Sequence, residues 1–209
     1  MSLPPRHNFL RSPTLYIGLQ WMLGADKLRR MCLDVLKLRE GERVLDIGCG
    51  PGHILDHMPR VDYVGFDTEP RYVEYANKHY AGRGRFYCSH FSQTHVASFE
   101  PFDAIMLFGV IHHLENGVAE HLIGLLSGCL ARSGRVVTLD PCFTAEQSPI
   151  ARWIAESDRG RFVRDEPTYR RIASQHFSRV ETQIHNNACR IPSTEIVMCL
   201  GDPRQARSM

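Results

Sequence analysis

The sequence predicts a single α/β domain with a doubly wound, mostly parallel sheet of seven strands, an antiparallel edge strand and an N-terminal helical cap. Short β-branched or aromatic segments alternate with segments whose apolar residues recur at helical spacing. This alternation favours a parallel sheet, because parallel neighbours need a crossover connection. The last two predicted strands have no helix between them, which predicts the antiparallel edge. No segment of linker composition divides the chain.

Seven segments are short, rich in β-branched or aromatic residues, and bounded by Gly, Pro or polar turn residues. The predicted strands are residues 43–47, 62–67, 84–88, 102–110, 134–140, 179–185 and 195–200. Helices are predicted where apolar residues recur three or four positions apart, or where Pro stops a short run. The predicted helices are residues 28–36, 53–58, 71–80 and 118–129. Residues 1–13 are expected to form a loose leader.

The composition excludes several classes of protein. Of the 209 residues, 43% are hydrophobic and 23% are charged, which is ordinary for a globular domain and unlike disorder, collagen or a coiled coil. The longest apolar run, residues 104–111, is far shorter than the roughly 20 residues of a membrane helix, so no membrane partner is expected. Because the first thirty residues lack a signal-peptide pattern, we expect a cytoplasmic protein.

Charge and cysteine usage narrow the function further. A net charge of +2 is too small to indicate nucleic acid as a partner. Residues 151–179 nevertheless carry seven Arg and four acidic residues, which form either a solvated surface or an anion site. No two of the seven cysteines stand in C-x-x-C spacing. The sequence also has no H-E-x-x-H motif. We therefore predict reduced, mostly buried thiols and no metal site.

A glycine loop follows the first predicted strand and carries the clearest chemical signal. Its sequence is Gly48-Cys49-Gly50-Pro51-Gly52, and glycines let the backbone approach a ligand closely. Asp67 ends the second strand, where an acid can accept ribose hydroxyls. The dinucleotide-binding fingerprint fits poorly, because its third glycine would fall on His53. The loop could instead be a plain turn, and Asp67 could instead cap the helix near Arg71.

The segment from Val44 to Gly52 resembles the first motif of class I S-adenosylmethionine-dependent methyltransferases. Four further segments resemble the family in order and spacing. They are Gly65-Phe66-Asp67, Phe102-Asp103-Ala104-Ile105, Ile111-His112-His113-Leu114 and Leu130–Val137. The resemblance covers residues 41–140 and implies the Rossmann-like methyltransferase fold, with S-adenosyl-L-methionine as cofactor. It divides the domain into a cap (1–40), a cofactor-binding core (41–140), an acceptor-side lid (141–178) and C-terminal strands (179–201).

The resemblance also implies which residues bind the cofactor. The glycine loop would face the methionine and ribose parts of the cofactor. Asp67 would bind the ribose hydroxyls, and the backbone after the fourth strand would face the methionine carboxylate and amine. Many relatives carry an acid after the third strand for the adenine amino group, whereas this chain has Ser89 and His90 there. The implied cofactor-binding residues are Asp46, Gly48, Cys49, Gly50, Gly52, Asp67, Thr68, Glu69, Ser89, His90, Phe108 and Gly109.

Candidate catalytic residues follow the fourth strand. His112 or His113 could act as a base near neutral pH, but adjacent side chains diverge, so at most one can point into the site. Either could equally be a packed, hydrogen-bonded histidine that shapes the pocket.

The resemblance implies that the acceptor pocket comes from the N-terminal helix, the loop after the fourth strand and the segment after the fifth strand, here residues 8–25, 109–117 and 141–171. The predicted residues are Tyr16, Trp21, Phe143, Trp153, Arg161 and Arg164. The alternative is that residues 141–171 form only a pair of helices on the outer sheet face. We expect an enzyme that methylates oxygen or nitrogen of a small molecule. The alternatives are a methyltransferase for RNA or protein, and a cofactor-binding protein without turnover. The oligomeric state stays open.

Overall fold

The computed structural model describes residues 12–157 and 161–204. Its helices are α1 (Pro13–Leu23), α2 (Ala25–Leu36), α3 (Pro70–Tyr80), α4 (Gln93–Ser98), α5 (Asn116–Cys129), α6 (Pro149–Ser157) and α7 (Glu166–Ser174). Its strands are β1 (Arg43–Ile47), β2 (Asp62–Asp67), β3 (Gly84–Cys88), β4 (Phe102–Phe108), β5 (Leu130–Phe143), β6 (Arg164–Asp165), β7 (Phe177–Asn186) and β8 (Thr194–Pro203). Two short 3₁₀ helices span His53–His57 and Ile111–His113.

The sheet confirms the predicted fold class. Seven strands lie in the order β3-β2-β1-β4-β5-β8-β7, and the two-residue β6 pairs with the end of β5. The first five strands, β1 to β5, are mutually parallel. Strand β8 lies between β5 and β7 and runs antiparallel to both. Strand order reverses at β1, which pairs with β2 on one side and β4 on the other. Ligands of such sheets bind beyond the carboxyl ends of the strands at this point.

Helices cover both faces of the sheet, as a doubly wound fold requires. On one face, α5 and α7 pack on Leu45 and Ile105 and their neighbours. On the other, α2 and α3 pack on Val44 and Met106. Successive residues of a strand point to opposite faces, so each central strand is buried on both sides. This explains why the central strands are nearly continuous apolar segments.

Every predicted strand and helix is present, and the bounds that differ from the prediction shift by one to four residues. The first three strands begin and end as predicted. The fourth ends at Phe108, because Gly109 takes a φ of +73°. The spacing of apolar residues predicted neither α1 nor α4, because neither has a buried residue and so neither shows an apolar stripe. Helix α1 was expected only as part of the N-terminal helical cap. The predicted loose leader lies mostly outside the described residues.

The segment after β5 divides into two parts. Helix α7 buries Tyr169, Ile172 and Ala173 in the core, so it is a packing helix. Helix α6 leaves Ile150 and Trp153 exposed. Any lid is therefore confined to the part before β6. No described helix has the length and apolarity to cross a membrane.

Candidate active site

The glycine loop lies between β1 and the first 3₁₀ helix, at the point where strand order reverses. Gly48, Gly50 and Gly52 have φ values of +77°, +55° and +77°, which favour glycine. A Cβ atom on Gly48 would lie 2.6 Å from Cγ2 of Val110, so no side chain fits there. A Cβ on Gly50 would meet only a ring atom of Tyr16, at 3.8 Å. The backbone of the loop is therefore open on the side that faces α1.

A cavity, which we call the loop cavity, lies over this backbone. Its lining residues are Tyr16, Arg29, Asp46, Gly48, Cys49, Gly50, His53, Ile54 and Phe108. Five of these were predicted as cofactor-binding residues. Tyr16 was predicted for the acceptor pocket, whereas the structure places it here because α1 folds over the loop. Arg29, His53 and Ile54 were not predicted.

Asp67 joins the loop to the end of β2. Its carboxylate accepts hydrogen bonds from the Gly50 N–H and the Glu69 N–H, both at 2.8 Å. The alternative role as a helix cap is wrong, because Glu69 caps α3 by accepting from the Arg71 N–H. Burial raises the pKa of Asp67, and the backbone N–H bonds oppose that rise. Each carboxylate oxygen has a further lone pair that can accept a hydroxyl.

Asp46 is buried under the loop and accepts a 2.5 Å hydrogen bond from the Tyr63 hydroxyl. Burial raises the pKa of Asp46 to about 7, and the nearby Asp67 adds to the rise. The Tyr63 bond and the positive charge of Arg29 oppose it. Near neutral pH, the positive charge of a bound ligand would therefore shift Asp46 to its ionised form.

Arg29 reaches the loop cavity from α2. One guanidinium nitrogen lies 3.2 Å from Nε2 of His53, and another donates to the Tyr16 hydroxyl at 3.2 Å. Burial, and secondarily Arg29, lowers the pKa of His53 to about 4, so its ring is neutral. Because Arg29 can only donate, the proton of His53 is assigned to Nδ1. Nδ1 is buried and has no hydrogen-bond partner within residues 12–157 and 161–204.

Sequence reasoning had no signal for Arg29. It directly follows Leu28, the first residue of the apolar stripe of α2, and an exposed arginine there would be unremarkable. Its partner His53 is 24 residues away in the chain. Only the packing of α2 on the sheet brings the two together.

The predicted adenine-side residues lie beside Asp67. Strand pairing aligns Asp67 with Cys88, so the ends of β2 and β3 are neighbours. Thr68 and His90 are exposed, and Ser89 is half-buried. Their contact with adenine stays a prediction.

Cys49, Gly52 and Gly109 support the loop cavity in different ways. The Cys49 side chain points under the loop, where its Sγ would be 2.9 Å from a Cβ on Gly65. Gly52 faces the rings of Phe86 and Tyr80 in the core rather than the cavity. The Gly109 N–H donates to the Leu139 carbonyl at 2.7 Å.

The structure separates the two candidate catalytic histidines. His112 is buried, and its Nδ1 lies 2.8 Å from Oδ1 of Asp140, three residues before the end of β5. The same carboxylate oxygen accepts from the His112 backbone N–H at 3.1 Å. His113 is exposed, and its ring centroid lies 4.0 Å from that of His112. His112 is thus the histidine whose ring an acid orients.

The structure corrects the prediction for Arg164, which was expected to bind an anionic acceptor. Its side chain is buried and donates to Asn116 Oδ1 and to the Ile111 and Leu114 carbonyls of the loop that holds His112. It also donates to the Phe162 carbonyl, just before β6. Its donors are used inside the fold, because a buried guanidinium must find acceptors.

The remaining acceptor-pocket candidates lie on separate segments of the fold. Trp21 and Trp153 are 62% and 67% exposed. The Phe143 ring lies 5.1 Å from the guanidinium carbon of Arg152, and Arg161 is exposed. Their contact with an acceptor stays a prediction. Within the described ranges, no group of three or more His, Cys, Asp or Glu side chains could hold a metal ion.

Comparison with known proteins agrees with this geometry. A family model described as a methyltransferase domain matches residues 23–181. No curated protein matches the chain by sequence.

Solved structures share the fold at low sequence identity. A Haemonchus contortus phosphoethanolamine N-methyltransferase, solved with phosphomonomethylethanolamine and S-adenosylhomocysteine, has a TM-score of 0.70 and 13% identity. The match covers 97% of this chain and 61% of that one. A cyclopropane synthase of Mycobacterium tuberculosis has a TM-score of 0.58 and 18% identity, over 74% of this chain and 61% of that one. A TehB-like methyltransferase of Corynebacterium glutamicum has a TM-score of 0.57 and 18% identity, and the match covers 83% of this chain and 86% of that one. The chain thus spans about three fifths of the first two structures.

Proposed function

Because the chain belongs to the class I S-adenosylmethionine-dependent methyltransferases, we propose that it transfers a methyl group from S-adenosylmethionine to a small-molecule acceptor. The observation that carries this proposal is the bond from the Gly50 N–H to the Asp67 carboxylate beside the loop cavity. It joins an open glycine backbone to a strand-end acid where ligands of doubly wound sheets bind.

The residues of the loop cavity fit the cofactor. The Arg29 guanidinium and the unpartnered Nδ1 of His53 suit the carboxylate of its methionine. The Asp46 carboxylate suits the ammonium group, and Asp67 suits the two ribose hydroxyls. Gly48 and Gly50 allow the close approach that each of these contacts requires.

The bound cofactor supplies a methyl group already activated by its sulfonium. The protein is therefore required mainly to position the acceptor and to exclude water. Tyr16 covers the glycine loop, where its ring contacts that of Tyr72 with centroids 5.0 Å apart. Helix α1 thereby shields the cavity from one side.

We propose that His112 accepts a proton when the acceptor is a hydroxyl. Asp140 accepts a hydrogen bond from Nδ1–H, so the ring lone pair lies on Nε2. The acid also stabilises the imidazolium that forms when the proton arrives. This assignment predicts oxygen as the methylated atom. A hydroxyl must lose its proton to a base as it is methylated, whereas an amine needs a base only if it starts as an ammonium ion.

The arginine-rich segment favours a small acceptor over RNA. Phosphate-backbone binding needs a continuous basic track. Arg164 is buried among carbonyls, Arg170 lies 3.6 Å from Glu166, and Arg179 lies 3.3 Å from Asp202. Carboxylates and backbone carbonyls within the fold therefore pair with these three arginines, which leaves less positive charge for a phosphate backbone.

Calorimetry and a turnover assay test the proposal. We expect saturable binding of S-adenosylmethionine and S-adenosylhomocysteine, and no comparable binding of NAD. Release of S-adenosylhomocysteine would then be measured with small-molecule, RNA and protein fractions of a cell extract. We expect turnover with the small-molecule fraction and its loss in His112→Gln. Binding of NAD alone would overturn the cofactor assignment, and turnover only with RNA or protein would overturn the acceptor class.

A further inference from the structure

A second cavity, which we call the hairpin cavity, lies between the α1–α2 junction and the loop that joins β7 to β8. Its volume is about 260 Å³. Strand pairing aligns Glu195 at the start of β8 with Pro141 of β5, so the β7–β8 loop lies at the same sheet edge as the glycine loop. Asp26 lines the hairpin cavity and lies 3.7 Å from Arg29, which lines the loop cavity. The first turn of α2 therefore forms a wall between the two cavities.

Three cations surround the hairpin cavity, namely Lys27, Arg30 and Arg190. In the part of the chain that the structure describes, no carboxylate lies within 4.0 Å of their charged nitrogens. The one acid of the lining, Asp26, is directed to Arg29 and to His53, at 3.7 and 3.9 Å. Three positive charges and one negative charge leave a formal charge of +2 around a single cavity.

The arrangement is held by the backbone as well as by side chains. The Arg190 N–H donates to the Leu23 carbonyl at 2.9 Å, which ties the β7–β8 loop to the end of α1. Gly24 has a φ of +79°, and a Cβ there would lie 3.0 Å from Cγ of Arg190. The Arg190 guanidinium carbon lies 5.1 Å from the Trp21 ring centroid, a cation–π contact. Arg190 is thus oriented before any ligand arrives.

We propose that the hairpin cavity binds the phosphate of a phosphate monoester. Such a group carries a charge of about −1.5 to −2 at neutral pH, which matches the charge of the lining. Arg190 and Arg30 offer planar forks that suit phosphate oxygens, and Lys27 adds a point charge. The Trp21 indole offers a surface for the organic part of the ligand. That this ligand is the methyl acceptor rests on the proposed function, whereas phosphate binding does not.

Calorimetric titration with glycerol 3-phosphate tests the proposal, with glycerol as the uncharged comparison at matched ionic strength. The titration is run on protein saturated with S-adenosylhomocysteine, so that the loop cavity does not compete for the anion, and repeated without it. We expect saturable binding of glycerol 3-phosphate only. Arg190→Gln and Lys27→Gln should each weaken binding at least tenfold. Arg132→Gln is the matched control, because Arg132 is exposed near the start of β5.

Fluorescence gives a second readout. The chain has two tryptophans, so Trp153→Phe leaves Trp21 as the sole reporter. We expect its emission to saturate with glycerol 3-phosphate at the affinity found by calorimetry. Co-sedimentation with vesicles containing phosphatidic acid identifies a lipid-borne source of the same phosphate, and binding in either form supports the proposal.

Two outcomes would overturn it: no saturable binding of either phosphate source, or equal affinity in the Arg190→Gln and Arg132→Gln variants. If S-adenosylhomocysteine binds while phosphate does not, this inference fails and the proposed function stands. If phosphate binds while S-adenosylhomocysteine does not, the proposed function fails. The phosphate site then stands, but its ligand is no longer assigned as the methyl acceptor.

Discussion

At the scale of single residues, two carboxylates on neighbouring strands have different environments. Asp67 is held by backbone N–H groups of the loop and of its own strand end. Asp46 is fully buried and has a tyrosine hydroxyl as its partner. Carboxylates in such different surroundings ionise in different pH ranges. They should therefore respond differently to substitution and to pH.

Asp67→Ala is expected to weaken S-adenosylhomocysteine binding by about 1.5 to 3 kcal/mol, the range for hydrogen bonds to a charged group. The variant should fold, because Asp67 is only half-buried at the end of β2 and belongs to neither apolar core cluster. Calorimetry checks the affinity and circular dichroism checks the fold. Asp34→Ala, on the exposed side of α2, is the control. Unchanged affinity in Asp67→Ala would remove the ribose contact.

Cofactor affinity should rise with pH through the titration of Asp46. Its pKa is raised to about 7 in the free protein, so at pH 5.5 the group is mostly protonated and cannot pair with an ammonium. Raising the pH to 7 increases the ionised fraction from about 3% to about half, so affinity should increase about fifteenfold if binding requires the ionised form.

Asp46→Asn provides the comparison for this pH dependence. Its affinity should be lower at pH 7 and nearly constant between pH 5.5 and 7. The pKa of His53, about 4, lies below this window, so His53 does not titrate within it. A slope in Asp46→Asn equal to that of the unaltered protein would assign the pH dependence to another group.

At the scale of elements, a single arginine holds the loop that carries His112. The Arg164 side chain bonds to three backbone carbonyls and one amide oxygen, and it is 6% exposed. The Phe162 N–H also donates to the His112 carbonyl at 3.0 Å. The short strand β6 and the 3₁₀ helix Ile111–His113 are thereby tied into one unit.

Arg164→Met is expected to lower the free energy of unfolding by at least about 3 kcal/mol. The substitution leaves several buried acceptors unsatisfied, each costing about 1 to 3 kcal/mol. Arg161→Met is the matched control, because Arg161 is three residues away and exposed, and it should cost less than about 0.5 kcal/mol. Urea denaturation measures both. Equal effects would show that the carbonyl contacts contribute little.

At the scale of the whole molecule, the central strands are shared by two cores. Ile105 and Met106 are adjacent in β4 and completely buried, yet they belong to apolar clusters on opposite faces of the sheet. Stability therefore depends on both helical layers. A sheet covered on one face only would tolerate loss of one of these side chains.

Ile105→Ala and Met106→Ala should each cost about 2 to 5 kcal/mol, the usual range for truncation in a packed core. Val118→Ala, at a position 53% exposed on α5, should cost less than about 0.5 kcal/mol. Denaturant titrations followed by circular dichroism measure all three. A negligible cost for either core variant would contradict burial of that face.

The sequence by itself determined the parts of this protein that depend on local pattern. Residue periodicity predicted the parallel strands and the principal helices, because a strand or an amphipathic helix shows its buried face in its own spacing. The glycine loop and Asp67 were predicted because their spacing along the chain is itself the signal. Elements without a buried face, such as α1, left no such pattern.

Only the tertiary structure decided which side chains meet. Arg29 reaches His53 across 24 residues, His112 meets Asp140 across 28, and Arg164 reaches the carbonyl of Ile111 across 53. The sequence predicted Arg164 as an anion-binding residue, and the fold buries it among carbonyls instead. The hairpin cavity likewise joins α2 to a loop more than 150 residues later. Hydrogen bonds and ion pairs depend on distances of a few ångströms, and chain folding sets those distances between residues whose sequence spacing carries no record of them.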